Sequence, residues 1–272
     1  MAPTQPTPRG TPHLTPARLI GRRFASSIFA GITVALVGYC PRPPALDRYQ
    51  PRDTADQYFI HVPPASVQTC AYAGIPFLSI VHVYGGPVSA ALLEELAYYG
   101  VTDVLAYGLA GGLGVAGQQL GDWYLVEQAL VADGTTPHYT AEPVVASDPT
   151  LNALITAQAR AAGLPTLHPV QAFTDDAIYR EYDDELAAAR ARGCAIVNCD
   201  SAHLFAVSRT VGIRSTECGV LTDVARPDGG EWDSSLAAML TTSNSGMPDL
   251  LTQVGLIVAL YVEAVLPALV RA

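Results

Sequence analysis

Apolar residues in this chain fall into two patterns: short unbroken runs, and stretches where they recur every three or four positions. The runs over 32–37, 77–83, 103–107, 123–132, 195–197 and 218–221 predict strands buried on both faces, as in a sheet covered by helices. Between them, 89–99 carries Ala91, Leu92, Leu93, Leu96 and Ala97 at helical spacing, and 149–162, 181–192, 203–211 and 250–270 also read as helices. Strands alternating with helices predict an α/β fold with a mainly parallel sheet. Gln253, Glu263 and Pro267 make the last helix a core helix rather than a membrane span. Two glycine-rich turns follow strands, at Gly85-Gly86-Pro87 and at Gly108-Leu109-Ala110-Gly111-Gly112-Leu113. Glycine ends strands and also lets backbone approach a ligand closely. Neither turn fits the dinucleotide or P-loop pattern.

Residues 1–16 are rich in Pro and Thr and read as a disordered tail ahead of a single domain over 17–272. Arg22-Arg23 before the apolar stretch 24–38 resembles an export signal. The stretch starts late and no small-x-small cleavage site follows it. A short helix around 16–24 and a buried first strand over 32–37 is the preferred reading. Half of the 272 residues are apolar, enough for a large core. The net charge of −10 argues against a nucleic-acid surface, although a small anion can still sit in a nest of backbone amides. The five cysteines, Cys40, Cys70, Cys194, Cys199 and Cys218, show no CxxC or His/Cys metal spacing. Reduced thiols in a cytoplasmic protein, with no metal site, are expected.

The stretch richest in chemistry runs from Ala195-Ile196-Val197 through Asn198-Cys199-Asp200-Ser201-Ala202 to His203, leaving Asp200 where a strand gives way to a helix. Parallel α/β sheets bind ligands at the carboxyl ends of their strands. A carboxylate there can accept from two neighbouring hydroxyls, as on a ribose; helix N-capping is the other use of an acid at such a junction. His203, one helical step on, either tunes Asp200 or fills a core position.

Around this element the chain resembles the nucleoside phosphorylase family, which includes purine nucleoside phosphorylase, uridine phosphorylase and the methylthioadenosine nucleosidases. Residues 74–87 followed by Leu93-Glu94-Glu95-Leu96 are similar to its strand, Gly-Gly-Pro turn and Glu-Glu-Leu helix. The 108–113 turn, Gly121-Asp122, the segment 133–139, Asp176-Ala177-Ile178-Tyr179 and Thr222-Asp223 resemble further family segments in the same order. The 198–202 stretch stands where the family has Glu-Met-Glu-Ser-Ala. The resemblance implies a central mixed β-sheet, partly closed as a barrel and flanked by helices, in an enzyme that cleaves the N-ribosidic bond of a nucleoside. In that reading Asp223 protonates or hydrogen-bonds the leaving base and Asp200 holds the ribose. Cys199, Ile178, Gly111, Asn198 and His13 fall at nucleoside-binding positions, and Asp223 favours a purine-like base. An Asp titrates near about 3.9, so proton donation at neutral pH requires a site that raises it.

The acceptor is where the chain departs from the family pattern. The first loop reads Gly38-Tyr39-Cys40-Pro41-Arg42, so Gly38 and Arg42 are what remains of an anion site. Ala106 and Leu109 stand where the family has an arginine and a hydroxyl. Each charged hydrogen bond lost from an anion site costs roughly 1.5–3 kcal/mol. Hydrolysis is therefore preferred, with phosphate as a possible co-substrate in the phosphorolytic alternative and a non-catalytic nucleoside binder as the third reading. No organic cofactor, nucleic acid or membrane partner is expected. A symmetric homo-oligomer is the prior for this family.

Overall fold

The computed structural model describes residues 10, 12–115, 117–225, 233–234 and 247–271. Of the expected tail, 1–9 and 11 lie outside them. Pro16 opens a short helix, α1 (Pro16–Leu19), whose first turn Thr15 caps by accepting from Arg18 N. The stretch that resembles an export signal is part of the folded body. Phe29 packs edge-on against Tyr99 with centroids 5.1 Å apart, and β1 (Val34–Gly38) is buried throughout.

Among the described residues, one mixed sheet of eleven strands organises the molecule. Beside β1 runs β4 (Ile75–Ile80), parallel to it; β3 (Val67–Tyr72) and β2 (Arg52–Asp53) continue outward as antiparallel neighbours. On the other side of β1 lies β5 (Asp103–Gly112), the strand on which the architecture turns. Its first half pairs with β1 from Val34↔Asp103 to Gly38↔Tyr107. Its last two residues leave β1 and pair with β9 (Cys194–Asn198), while β10 (Arg214–Val224) follows it along its whole length. With β6 (Trp123–Val131) and β8 (Leu167–Thr174) these strands close a ring of five, in the order β5-β10-β6-β8-β9. Two short strands, β7 (Val144–Ala146) and β11 (Asp233–Ser234), pair with β6 and β10.

The glycine-rich segment 108–112, expected as a turn, is therefore strand. Gly108 and Gly219 face each other in the β5–β10 ladder. A side chain on Gly219 would collide with the Gly108 carbonyl and the Tyr124 ring, so only glycine lets the strands approach closely enough to curl the sheet into the barrel.

Helices cover both faces. On one, α2 (Gly86–Tyr98) packs on α5 (Ser201–Val211). Helix α5 is buried from Ser201 to Ser208, as a helix enclosed between a sheet and another helix must be. The other face carries α3 (Pro149–Ala161) and the closing helix, which runs as α6 (Met247–Ala259), a π-helical stretch over Leu260–Val265, and α7 (Leu266–Arg271). Leu250–Val270 is long and apolar enough to cross a membrane. Here Val254, Ile257, Val258, Tyr261 and Val265 are buried in the core, while Gln253 accepts from Trp123 Nε1 at 3.0 Å and Glu263 from the Tyr49 hydroxyl at 2.7 Å. A last helix, α4 (Asp183–Ala191), precedes β9 with three acids in its first turn, where its positive end favours them.

Candidate active site

Asp200 follows the carboxyl end of β9, and its charge is felt at Tyr39 and Cys40 after β1 and at Tyr84 after β4. Asp200 stands at the N-cap of α5, yet its side chain makes no capping bond. Other residues hold the helix start. Asn198 Oδ1 accepts from the N–H groups of Asp200 and Ser201, both at 3.4 Å, and Thr174 Oγ1 accepts from Ala202 N at 3.1 Å. That division of labour leaves the carboxyl of Asp200, a residue only 6% exposed, with no hydrogen bond or ion pair among the described residues. Burial, reinforced by the charge of Glu217, pushes Asp200 well above the usual carboxylate range.

Glu217 on β10 escaped the sequence reading. It is fully buried, accepts from Ser201 Oγ at 2.7 Å and Asn198 Nδ2 at 3.2 Å, and is pushed up to about 7 by burial. Its partner across the β5–β10 ladder is Ala106, the position where the resemblance places a phosphate-binding arginine. Asn198 is fully committed by the same network, its amide bonded to Thr174, Ser201 and Glu217, so it supports the site rather than reaching out of it.

Asp223 owes its direction to a bulge. Between Leu221 and Asp223 the β10 register slips by one, with Leu221 opposite Ala110 and Asp223 opposite Gly111. Such an inserted residue bends the strand and re-aims the next side chain. The Thr222 hydroxyl then donates to Asp223 Oδ1 at 2.8 Å. A Cβ on Gly111 would lie 2.8 Å from Asp223 Oδ2 and 3.1 Å from Val197, so glycine at 111 is what makes room for this carboxylate. Glu181, also missed in the sequence, is pushed up to about 7 by burial and then by the charges of Asp223 and Asp175.

Cys199, next to Asp200 in the chain, is partly exposed. Burial, with Asp200 and Glu181 nearby, pushes its thiol up to about 12, which keeps it protonated and suits packing rather than nucleophilic attack. Ile178 is 55% exposed in a short 3-10 turn, next to Tyr179, which is 90% exposed. His13 is exposed, its carbonyl accepting from Arg18. Gly38 ends β1 against the Tyr107 ring, which leaves no room for a Cβ. Arg42 is already engaged, paired with Asp47 at 2.7 Å and bonded to Gln68 at 3.3 Å.

His203 sits beneath the site without acting on Asp200. It is fully buried, its Nδ1 3.9 Å from Asp133 and its ring edge-on to Tyr39. Burial lowers it to about 4, so it is neutral at physiological pH. At the mouth, His82 adopts the left-handed conformation (φ 58°) and its Nδ1 lies 3.3 Å from the Tyr84 hydroxyl. Among the described residues no group of His, Cys, Asp and Glu side chains is arranged to hold a metal ion.

A closed barrel inside a larger mixed sheet, with acids gathered where its strands end, is the frame of an enzyme that holds a small polar substrate at strand termini. The chain belongs to the phosphorylase superfamily, whose sequence model matches residues 65–246; the family's nucleoside phosphorylases and nucleosidases cleave N-glycosidic bonds. An uncharacterised protein of Acanthamoeba polyphaga mimivirus is 29% identical over 238 residues, 86% of this chain and 92% of its own length. Among solved structures, the 5′-methylthioadenosine/S-adenosyl homocysteine nucleosidase of Campylobacter jejuni superposes with a TM-score of 0.68 at 13% identity, covering 87% of this chain and all of that one. Uridine phosphorylase of Vibrio fischeri gives 0.67 at 17% identity, over 89% and 93% of the two chains. Purine nucleoside phosphorylase of Toxoplasma gondii, solved with immucillin-H, gives 0.66 at 17%, over 87% and 91%. The three share this fold.

Proposed function

We propose that the protein hydrolyses the N-ribosidic bond of a purine-like nucleoside, with Asp200 accepting from the ribose hydroxyls and Asp223 hydrogen-bonding or protonating the departing base. The observation that carries this reading is the charge pattern at the acceptor position. Arg42 is spent on Asp47, Ala106 offers no cation, and the buried acid Glu217 faces Ala106 across the ladder. A phosphate dianion entering there meets a like charge in a dry setting, where repulsion is strongly felt. Water meets no such barrier.

The same acids suit the reaction's electrostatics. As the bond to the base lengthens, positive charge grows on the sugar and negative charge on the base. Carboxyl groups below the sugar stabilise the first, and a proton or hydrogen bond from Asp223 stabilises the second. In this reading no metal or organic cofactor takes part, the substrate's sugar lies over Cys199, and its base packs beside Ile178. The test is chromatography of free base released from adenosine, inosine, guanosine, methylthioadenosine and uridine, with and without phosphate. Release of purine at the same rate in both buffers supports hydrolysis. Release only with phosphate overturns it in favour of phosphorolysis, and saturable binding with no release overturns the enzymatic reading.

A further inference from the structure

We propose that Glu217 is a positioning residue for Asp200: it braces, from the middle of β10, the turn that presents Asp200, and governs how that carboxyl holds its proton. The inference rests on the N-ribosidic reading for its kinetic readout alone.

The bracing is direct. Asn198 and Ser201 flank Asp200 on either side, one ending β9 and the other opening α5. Both donate to the one Glu217 carboxylate, Ser201 at 2.7 Å and Asn198 at 3.2 Å. A single acid on β10, across the barrel from β9, thus ties both ends of the junction, while the Asp200 side chain makes no capping bond. The family resemblance puts a glutamate where Asn198 stands, so the second acid of this junction has moved from β9 to β10.

The environment makes the two carboxyls interdependent. The titratable groups facing Glu217 are Tyr39 and Cys40 after β1, Tyr124 on β6, Cys218 beside it on β10, Tyr261 on the closing helix, and Asp200 itself. Among the described residues none of these is a cation. Two carboxyls in such a setting share a proton rather than both ionising. Glu217, with two donors, is the better home for the charge. Asp200, with none, keeps the proton until sugar hydroxyls arrive to hydrogen-bond its anion. Burial pushes Glu217 up to about 7, and burial raises Asp200 well above its ordinary value, with Glu217's charge adding to it.

The test is Glu217→Gln in the full chain, read by the carboxyl 13C titration of Asp200 in protein labelled with [4-13C]aspartate, the resonance assigned by its loss in Asp200→Asn. Glutamine fits, since its carbonyl accepts from Asn198 and its amide donates to Ser201 Oγ. The Asp200 titration is expected to fall by about one pH unit or more, the coupling that defines an interacting pair. The acid limb of kcat/KM for base release is expected to move with it, while the thermal midpoint changes little. An Asp200 titration at the same pH in Glu217→Gln and in the unmodified protein overturns the proposal, even if activity falls. If Glu217→Gln does not fold, Ser201→Ala removes one donor from Glu217, which then holds its proton to higher pH and repels Asp200 less. Asp200 is then expected to titrate lower, and an unmoved titration again overturns it. If no nucleoside is cleaved, the resonance still decides the role of Glu217, and it is the N-ribosidic reading that fails.

Discussion

Asp200→Asn tests a ligand-holding acid directly, because activity and stability are expected to move in opposite directions. If the carboxylate accepts two sugar hydroxyls as charge builds on the ribose, it loses two charged hydrogen bonds, each worth roughly 1.5–3 kcal/mol. The sum of about 3–6 kcal/mol corresponds to a fall in kcat/KM of about 10²–10⁴. Folding responds differently. Asparagine caps a helix start as well as aspartate does, and Asp200 makes no capping bond, so no capping loss enters. Its carboxyl is raised well above its usual range by burial and by Glu217. An acid raised on folding contributes stability that is complete below its unfolded value of about 3.9 and is lost as pH climbs through the folded one. Asparagine has no such loss, so Asp200→Asn is expected to be more stable than the unmodified protein at pH 8 and no more stable at pH 4. The assays are base release by chromatography and urea unfolding at the two pH values. A variant that keeps its activity and is no more stable than the unmodified protein at pH 8 would refute the reasoning.

Other residues give equally definite outcomes. Gly111→Ala places a Cβ 2.8 Å from Asp223 Oδ2, so kcat is expected to fall at least about tenfold with an overpacking cost of about 1–3 kcal/mol; steady-state kinetics and a melt check both, and unchanged kcat would mean that the Asp223 carboxylate is not needed where it lies. Glu95 is buried with its carboxylate 3.2 Å from Ile60 N and is pushed up to about 7 by burial. Stability is therefore expected to fall between pH 4.5 and 7 by at most about 3 kcal/mol from this group, and Glu95→Gln to flatten that part of the urea-unfolding profile; an unaltered slope contradicts it. Cys199, with its thiol pushed up to about 12, is expected to resist iodoacetamide at pH 7.5, and rapid alkylation at this residue by mass spectrometry would show a thiolate the geometry does not provide.

Much of the fold was legible because buried strands announce themselves as unbroken apolar runs. The cores of β1, β4, β5, β6 and β9 and all the longer helices fall where periodicity puts them. Strand β3 was not legible, as only Val67 and Cys70 of its six residues are buried. Strand β8 was hidden by His168 and Pro169. The segment 108–112 was misread for a physical reason: glycine usually ends a strand, and here it lets one strand serve both the open sheet and the barrel. For the site, Asp200 stood out because an acid followed an apolar run directly. Glu217 did not, because a single acid inside a strand gives no spacing to recognise, and its meaning depends on the β9–α5 junction reaching it across the barrel. The bulge at Thr222 that aims Asp223 is likewise a property of paired strands and not of either sequence alone.

Base release in water enriched in 18O tests the central claim most directly. Hydrolysis puts the label on the anomeric carbon of the released sugar, read by mass spectrometry after immediate reduction to the alditol so that exchange is stopped. The account predicts labelled ribose in stoichiometric yield with purine, unchanged by phosphate. Unlabelled sugar 1-phosphate formed in step with the base would contradict it.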